Sequence, residues 1–174
     1  MKTSERVVRQ PADAAAAPFR VLERARWSDV DAAGIVCYGA YLRFFEVAET
    51  ELFRSFGLPI GTLQQQHRLW LVRRRVECDF FRPILLDEEV EVFAYITAVG
   101  RTSLGVGFLA RRLGERELAA ESRYALVAVD AERLTPVPLP EMARELLVAA
   151  RLDRTAVLGA LGLAEHERGS GRES

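Results

Sequence analysis

Residues Trp27 to Gly57 read WSDVDAAGIVCYGAYLRFFEVAETELFRSFG, and the stretch changes character partway along. Ser28 to Gly39 is rich in small residues, with two aspartates and two glycines, a composition suited to turns. From Tyr41 onward the apolar residues fall at Tyr41, Leu42, Phe44, Phe45, Ala48, Leu52, Phe53 and Phe56. That spacing predicts a helix with a broad apolar stripe. Gly57 followed by Leu58-Pro59 predicts its end, because glycine accepts a left-handed cap and proline cannot continue a helix. A stripe this wide needs a surface to bury against.

The flanking sequence supplies one. Phe19 to Trp27 alternates, with Phe19, Val21, Glu23, Ala25 and Trp27 on one side, which predicts a strand. From Leu69 to Asp130 the period is again two, in four runs separated by short breakers that suit antiparallel hairpins. The first run places Trp70, Val72, Val76, Cys78 and Phe80 on one face and ends at Arg82-Pro83. The second carries Val90, Val92, Ala94, Ile96 and Ala98; the third, Leu104, Val106, Phe108 and Ala110; the fourth, beyond Gly114, carries Leu118, Ala120, Tyr124, Leu126 and Ala128. Gly105 and Gly107 share the other face of the third run, where a missing side chain permits close approach of a backbone or ligand. Pro138 and Pro140 lead into a second amphipathic helix over 141–152. The expected class is therefore α+β, an antiparallel sheet around one long central helix with a C-terminal helix added. Phe93, Tyr95 and Val99 suggest that the far sheet face is also covered, and a further subunit is expected to cover it.

Composition narrows the function. The chain has 174 residues, about half of them hydrophobic (49%), and a formal net charge of -1. One domain over 18–163 suits that length, with flexible segments expected at 1–17 and 164–174, where apolar residues are too few to offset ordering entropy. A near-neutral balance gives no general attraction to polyanions, so nucleic acid is not the expected partner. No apolar run approaches the roughly 20 residues of a membrane span. Cys37 and Cys78 have no paired or metal-ligand spacing and read as reduced thiols. Since residues 1–18 lack the apolar core of an export signal, a soluble cytoplasmic protein is expected.

The loop Asp29-Val-Asp31-Ala-Ala-Gly34-Ile-Val36 running into Tyr41-Leu-Arg-Phe-Phe-Glu46 resembles the 4-hydroxybenzoyl-CoA and acyl-CoA thioesterase branch of the hotdog superfamily. The likeness covers roughly Phe19 to Val148. It includes Arg82-Pro83 and Asp87 to Val90, although Leu86 stands where that branch usually has glycine. The resemblance implies a hotdog fold and hydrolysis of an acyl-CoA thioester, with Asp31 as the catalytic carboxylate, either nucleophile or general base. It further implies the Tyr38 backbone N–H as oxyanion donor and Gly34 as the residue that lets the loop approach the acyl group. No cofactor is implied, because coenzyme A belongs to the substrate. The chemistry is coherent: a carboxylate can attack or activate water, and unpaired amides at a helix start can meet the developing oxyanion. The implied assembly is a homodimer or homotetramer with the site between subunits.

Other readings stand beside this one. Asp31 also suits a turn or cap, and Asp29 is expected to support the loop. Glu46 competes as a catalytic carboxylate, because related hotdog enzymes place theirs on the central helix. Cys37 lacks a neighbouring histidine, His67 and His166 being the only two, so a packed thiol is expected and no metal site. The serines have no Gly-x-Ser-x-Gly elbow. Tyr41 and Phe45 are expected to line the acyl site, and Arg73 and Arg75 to hold the phosphates of the carrier. An acyl carrier protein is the alternative carrier. A non-catalytic acyl-CoA sensor is the alternative class, but the short polar N-terminal segment has no helix-turn-helix length or pattern. A hotdog dehydratase would need a histidine that the loop does not contain.

Overall fold

A computed structural model describes residues 17–163 of the chain; the segments expected to be flexible fall, apart from residue 17, outside the described residues. The elements run β1 (Phe19–Arg24), α1 (Tyr38–Ser55), α2 (Ile60–His67), β2 (Leu69–Phe80), β3 (Glu89–Val99), β4 (Ser103–Arg112), β5 (Ala120–Asp130), α3 (Glu141–Ala149) and α4 (Arg154–Ala160). The five strands form one sheet in the order β1-β3-β4-β5-β2, antiparallel at every step. The α1 helix packs across the inner face, against β1 and β3. This is the α+β hotdog layout that the periodicities and the resemblance imply.

Packing, more than propensity, makes α1 a helix. Aromatic residues are middling helix formers, yet Phe44, Phe45 and Phe53 are fully buried with Phe108 of β4 in one core. Each such side chain contributes roughly 1.5–3 kcal/mol through apolar burial. The helix ends as its sequence predicts. Gly57, at φ 71°, lets its own N–H donate to the Arg54 carbonyl and that of Leu58 to the Phe53 carbonyl, both at 3.0 Å, which closes the last turn.

Several expectations need correction. In β2, Arg73 opposes Leu126 and Arg75 opposes Ala125, so Arg74 is an extra, bulged residue. Directly opposed residues share a face, and one inserted residue exchanges faces beyond it. Val76, Cys78 and Phe80 therefore lie on the inner face, whereas Trp70 and Val72 lie on the outer one. For the same reason Arg73 points inward and Arg75 outward, where simple alternation had placed them together. A similar irregularity around Thr97 brings Val99 to the inner core.

Over β3 and β4 the outer face is covered within the chain. Val157 and Leu158 of α4, with Leu163, pack on Phe93, Tyr95, Leu109 and Leu118. Arg154 fastens α4 by donating two 2.7 Å hydrogen bonds to the buried Glu121 carboxylate. Over β3 and β4 that cover needs no second subunit, whereas Trp70 and Val72 on the outer face of β2 stay exposed. Gly105 and Gly107 are filled by cross-strand neighbours: an added Cβ would lie 2.4 Å from Thr97 Oγ1 and 2.4 Å from Tyr95 Cζ respectively.

Periodicity missed α2, in which only Leu63 is buried, and α4, and the expected helix over 141–152 stops at Ala149. Trp27 is not an inward strand residue; it opens a short 3-10 turn and is 81% exposed. At the turn before β3, Asp87 takes the left-handed conformation at φ 66°. Aspartate tolerates this, so Leu86 has no need to be glycine. No described helix is long and apolar enough to cross a membrane.

Candidate active site

The two-aspartate loop folds as a tight hairpin at the start of α1. Val30 and Val36 pair antiparallel, and across the tip Asp31 N–H donates to the Ile35 carbonyl at 3.0 Å while Gly34 N–H donates to the Asp31 carbonyl at 2.9 Å. Gly34 has φ 76°, a left-handed conformation that glycine adopts without steric cost. Cys37 N–H donates to the Asp29 carbonyl at 2.8 Å, and Val36 N–H to the Ile84 carbonyl at 2.8 Å. The hairpin is thereby tied to the α1 start on one side and to the β2–β3 connection on the other.

Asp31 is exposed at the tip. Its Oδ1 accepts the Ala33 N–H at 2.8 Å, which holds the side chain in an Asx turn, and Oδ2 has no hydrogen-bond partner among the described residues. The turn role and the chemical role are therefore compatible, since one oxygen orients the carboxylate and the other faces outward. Cys37, at the N-cap of α1, makes no side-chain capping bond, and no acidic residue lies in the first turn. The first amides of α1, those of Tyr38 and Gly39, thus form an uncapped, partially positive helix end, one residue from the hairpin stem. The Tyr38 ring is 77% exposed.

Asp29 is buried and has the supporting role expected of it. Its carboxylate accepts the Arg26 N–H at 2.8 Å, Arg43 Nη2 at 2.6 Å and Arg43 Nε at 3.3 Å. Arg43 also donates to buried Glu23 at 3.1 Å. Sequence reasoning passed over Arg43. Its signal was a lone cation beside Phe44 in the early turns of the helix, downstream of three acidic residues at 23, 29 and 31.

The remaining candidates divide. Tyr41 is buried, with its ring 5.2 Å from that of Phe80, and burial pushes its phenol up to about 12, so it keeps its proton at neutral pH. Phe45 is fully buried in the core, 5.3 Å from the Phe108 ring. Arg73 reaches buried Glu49 at 2.5 Å and lies over the Tyr124 ring, while Arg75 pairs with Glu77. Both arginines expected to hold phosphates thus already have carboxylate partners. Glu46 is exposed on α1.

Cys37 and Cys78 are free thiols, and burial pushes that of Cys78 up to about 11, away from nucleophilic character. His67 closes α2, beyond the far end of α1; an 18-residue helix spans about 27 Å, so it cannot activate Cys37. Among the described residues no three His, Cys, Asp or Glu side chains are grouped to hold a metal ion.

Residues 25–147 match the family model of the thioesterase-like superfamily. The acyl-CoA thioester hydrolase YbgC of Escherichia coli O6:H1 is 30% identical over 125 residues, covering 71% of this chain and 90% of that protein. Among solved structures, a thioesterase of Thermus thermophilus, complexed with coenzyme A and Zn, superimposes with a TM-score of 0.63 at 34% identity over 75% of this chain and 92% of that one. A 1,4-dihydroxy-2-naphthoyl-CoA thioesterase from Synechocystis shares the fold, with a TM-score of 0.69 at 18% identity over 75% and 95% of the two chains. On the family match and the YbgC relative, the chain belongs to the thioesterase-like superfamily and is a hotdog-fold thioester hydrolase.

Proposed function

We propose that the protein hydrolyses the thioester bond of an acyl-CoA, with Asp31 as nucleophile or general base and the Tyr38 N–H as the donor to the developing oxyanion. One observation carries the reading: a carboxylate with one oxygen unengaged among the described residues stands on a hydrogen-bonded hairpin whose stem adjoins an uncapped helix N-terminus. Both halves of acyl transfer are then at hand, an attacking or water-activating group and preorganised amides for the negative charge that forms on the carbonyl oxygen. Gly34 permits the tight tip. Tyr41, protonated at neutral pH, can donate a hydrogen bond near the end of β2. The YbgC and Thermus relatives favour coenzyme A as carrier over an acyl carrier protein.

The site is open in a single chain. Trp27, Tyr38, Phe80 and Leu85 all expose apolar surface around the hairpin and the end of β2, and the 12-residue β2 is an unpaired sheet edge. Long open edges invite pairing, so we assign completion of the acyl site to a second copy of the chain, and the free thiols suit a reducing cytoplasm. The test is a hydrolysis screen over acetyl-, hexanoyl-, palmitoyl- and 4-hydroxybenzoyl-CoA, with the same acyl groups on acyl carrier protein. Turnover of at least one CoA ester above its carrier-protein counterpart is expected. Turnover confined to carrier-protein esters would overturn the choice of carrier, and none with any ester would overturn the reading.

A further inference from the structure

We propose that Arg43 is a positioning residue of this enzyme, setting the aspartate hairpin against the open end of α1; the inference rests on the reading of Asp31 as the acting carboxylate. Glu23 at the end of β1 and Asp29 at the hairpin stem are both buried, with side chains only 5% exposed. Two carboxylates held this far out of water need a cation. Arg43 supplies it from α1 with three bonds, Nη2 and Nε to the two oxygens of Asp29 at 2.6 and 3.3 Å and Nη1 to Glu23 at 3.1 Å. Arg26, on the surface, adds only a 3.6 Å approach to Glu23.

Stability alone does not explain this arrangement, because a buried ion network is seldom more stable than a well-packed apolar substitute. What a planar fork adds is direction. One side of Asp29 is fixed by Arg43 and by the Arg26 N–H at 2.8 Å, while its main-chain carbonyl takes the Cys37 N–H at 2.8 Å. β1, the hairpin and the first turns of α1 therefore meet at one guanidinium, which itself lies 4.6 Å from the Phe44 ring centroid. Asp31 is two residues past this clamp, and Tyr38 is one residue past Cys37. A shift of the clamp moves the carboxylate relative to the amides, and a displacement of about 1 Å can cost up to about 10²-fold in rate.

Arg43→Lys tests this while keeping the compensating charge, since an ammonium has no fork to hold Asp29 and Glu23 together. Arg43→Met is the harsher companion. For the acyl-CoA turned over fastest in the screen, Arg43→Lys should lower kcat about tenfold with KM and thermal midpoint little changed. The loss should vanish when Arg43→Lys is placed in an Asp31→Asn background. Amide exchange at Asp31, whose N–H is held by Ile35, should quicken in the Lys variant whether or not Asp31 does the chemistry. That readout separates a failure of the positioning claim from a failure of the catalytic reading. An unchanged kcat, a loss that follows the thermal midpoint across the Lys and Met variants, a loss that persists beside Asp31→Asn, or an unaltered exchange rate at Asp31 would each overturn the proposal.

Discussion

The two ends of α1 are finished in opposite ways. At the C-terminal end Gly57 turns the chain back, the last carbonyls receive the Gly57 and Leu58 amides, and Leu58 is buried in the core with Phe53. At the N-terminal end Cys37 makes no side-chain cap, Tyr38 is exposed, and the polar groups are organised one layer away, in the Asp29–Arg43–Glu23 cluster. A helix that needed only to be stable would be sealed at both ends, as capping is worth about 1 kcal/mol. The end left open is the one that adjoins the Asp31 hairpin, where the proposed reaction calls for free amides.

The comparison can be pressed from either end. Leu58→Ala attacks the sealed end and should cost about 3 kcal/mol of stability by leaving a cavity, with kcat unchanged at temperatures where the variant is folded. Denaturant unfolding beside steady-state kinetics measures both quantities, and a large kcat loss would mean that the two ends are not independent. Cys37→Asp attacks the open end by adding a capping carboxylate. Stability should hold or rise by up to about 1 kcal/mol, while kcat should fall tenfold or more, because negative charge now sits where the oxyanion must form. An equal or faster rate in that variant would argue against the helix end as an oxyanion site.

The middle of the helix offers a smaller, pH-dependent test. Burial holds the Glu49 carboxyl above its ordinary value of 4.5, with the Arg73 guanidinium pulling the other way. A carboxyl raised in the folded state binds its proton more tightly there than when unfolded, so its contribution is fully present below 4.5 and is lost as pH rises through the folded value. Glu49→Gln should remove that component. The thermal midpoint of the variant should decline less from pH 4.5 upward than that of the parent chain, and parallel curves would refute the assignment.

The sequence was legible wherever a single period ran unbroken. The α1 stripe, the Gly57 stop and the alternation in β4, β5 and β3 as far as Ile96 each follow from residue spacing, and the Asp29–Val36 loop carried the family resemblance. Inserted residues defeated spacing. One bulge at Arg74 exchanged the faces of the second half of β2, so Arg73 went inward to Glu49 and Arg75 outward. Phe45 fitted an acyl pocket by residue type but lies in the core, because the stripe is broad enough to bury both Phe44 and Phe45. The outer cover was misjudged because α4, at seven residues, is too short to show a helical period. Arg43 stayed hidden because its partners Glu23 and Asp29 are distant in sequence and meet it only after β1 and the hairpin have docked on α1.

The most direct measurement is kcat for Asp31→Asn on the best acyl-CoA, with circular dichroism and thermal midpoint recorded on the same preparation. Asparagine keeps the side-chain oxygen that accepts the Ala33 N–H but removes the carboxylate, so the fold should be retained while turnover drops by on the order of 10³-fold. A folded Asn variant that works at close to the parent rate would contradict the account.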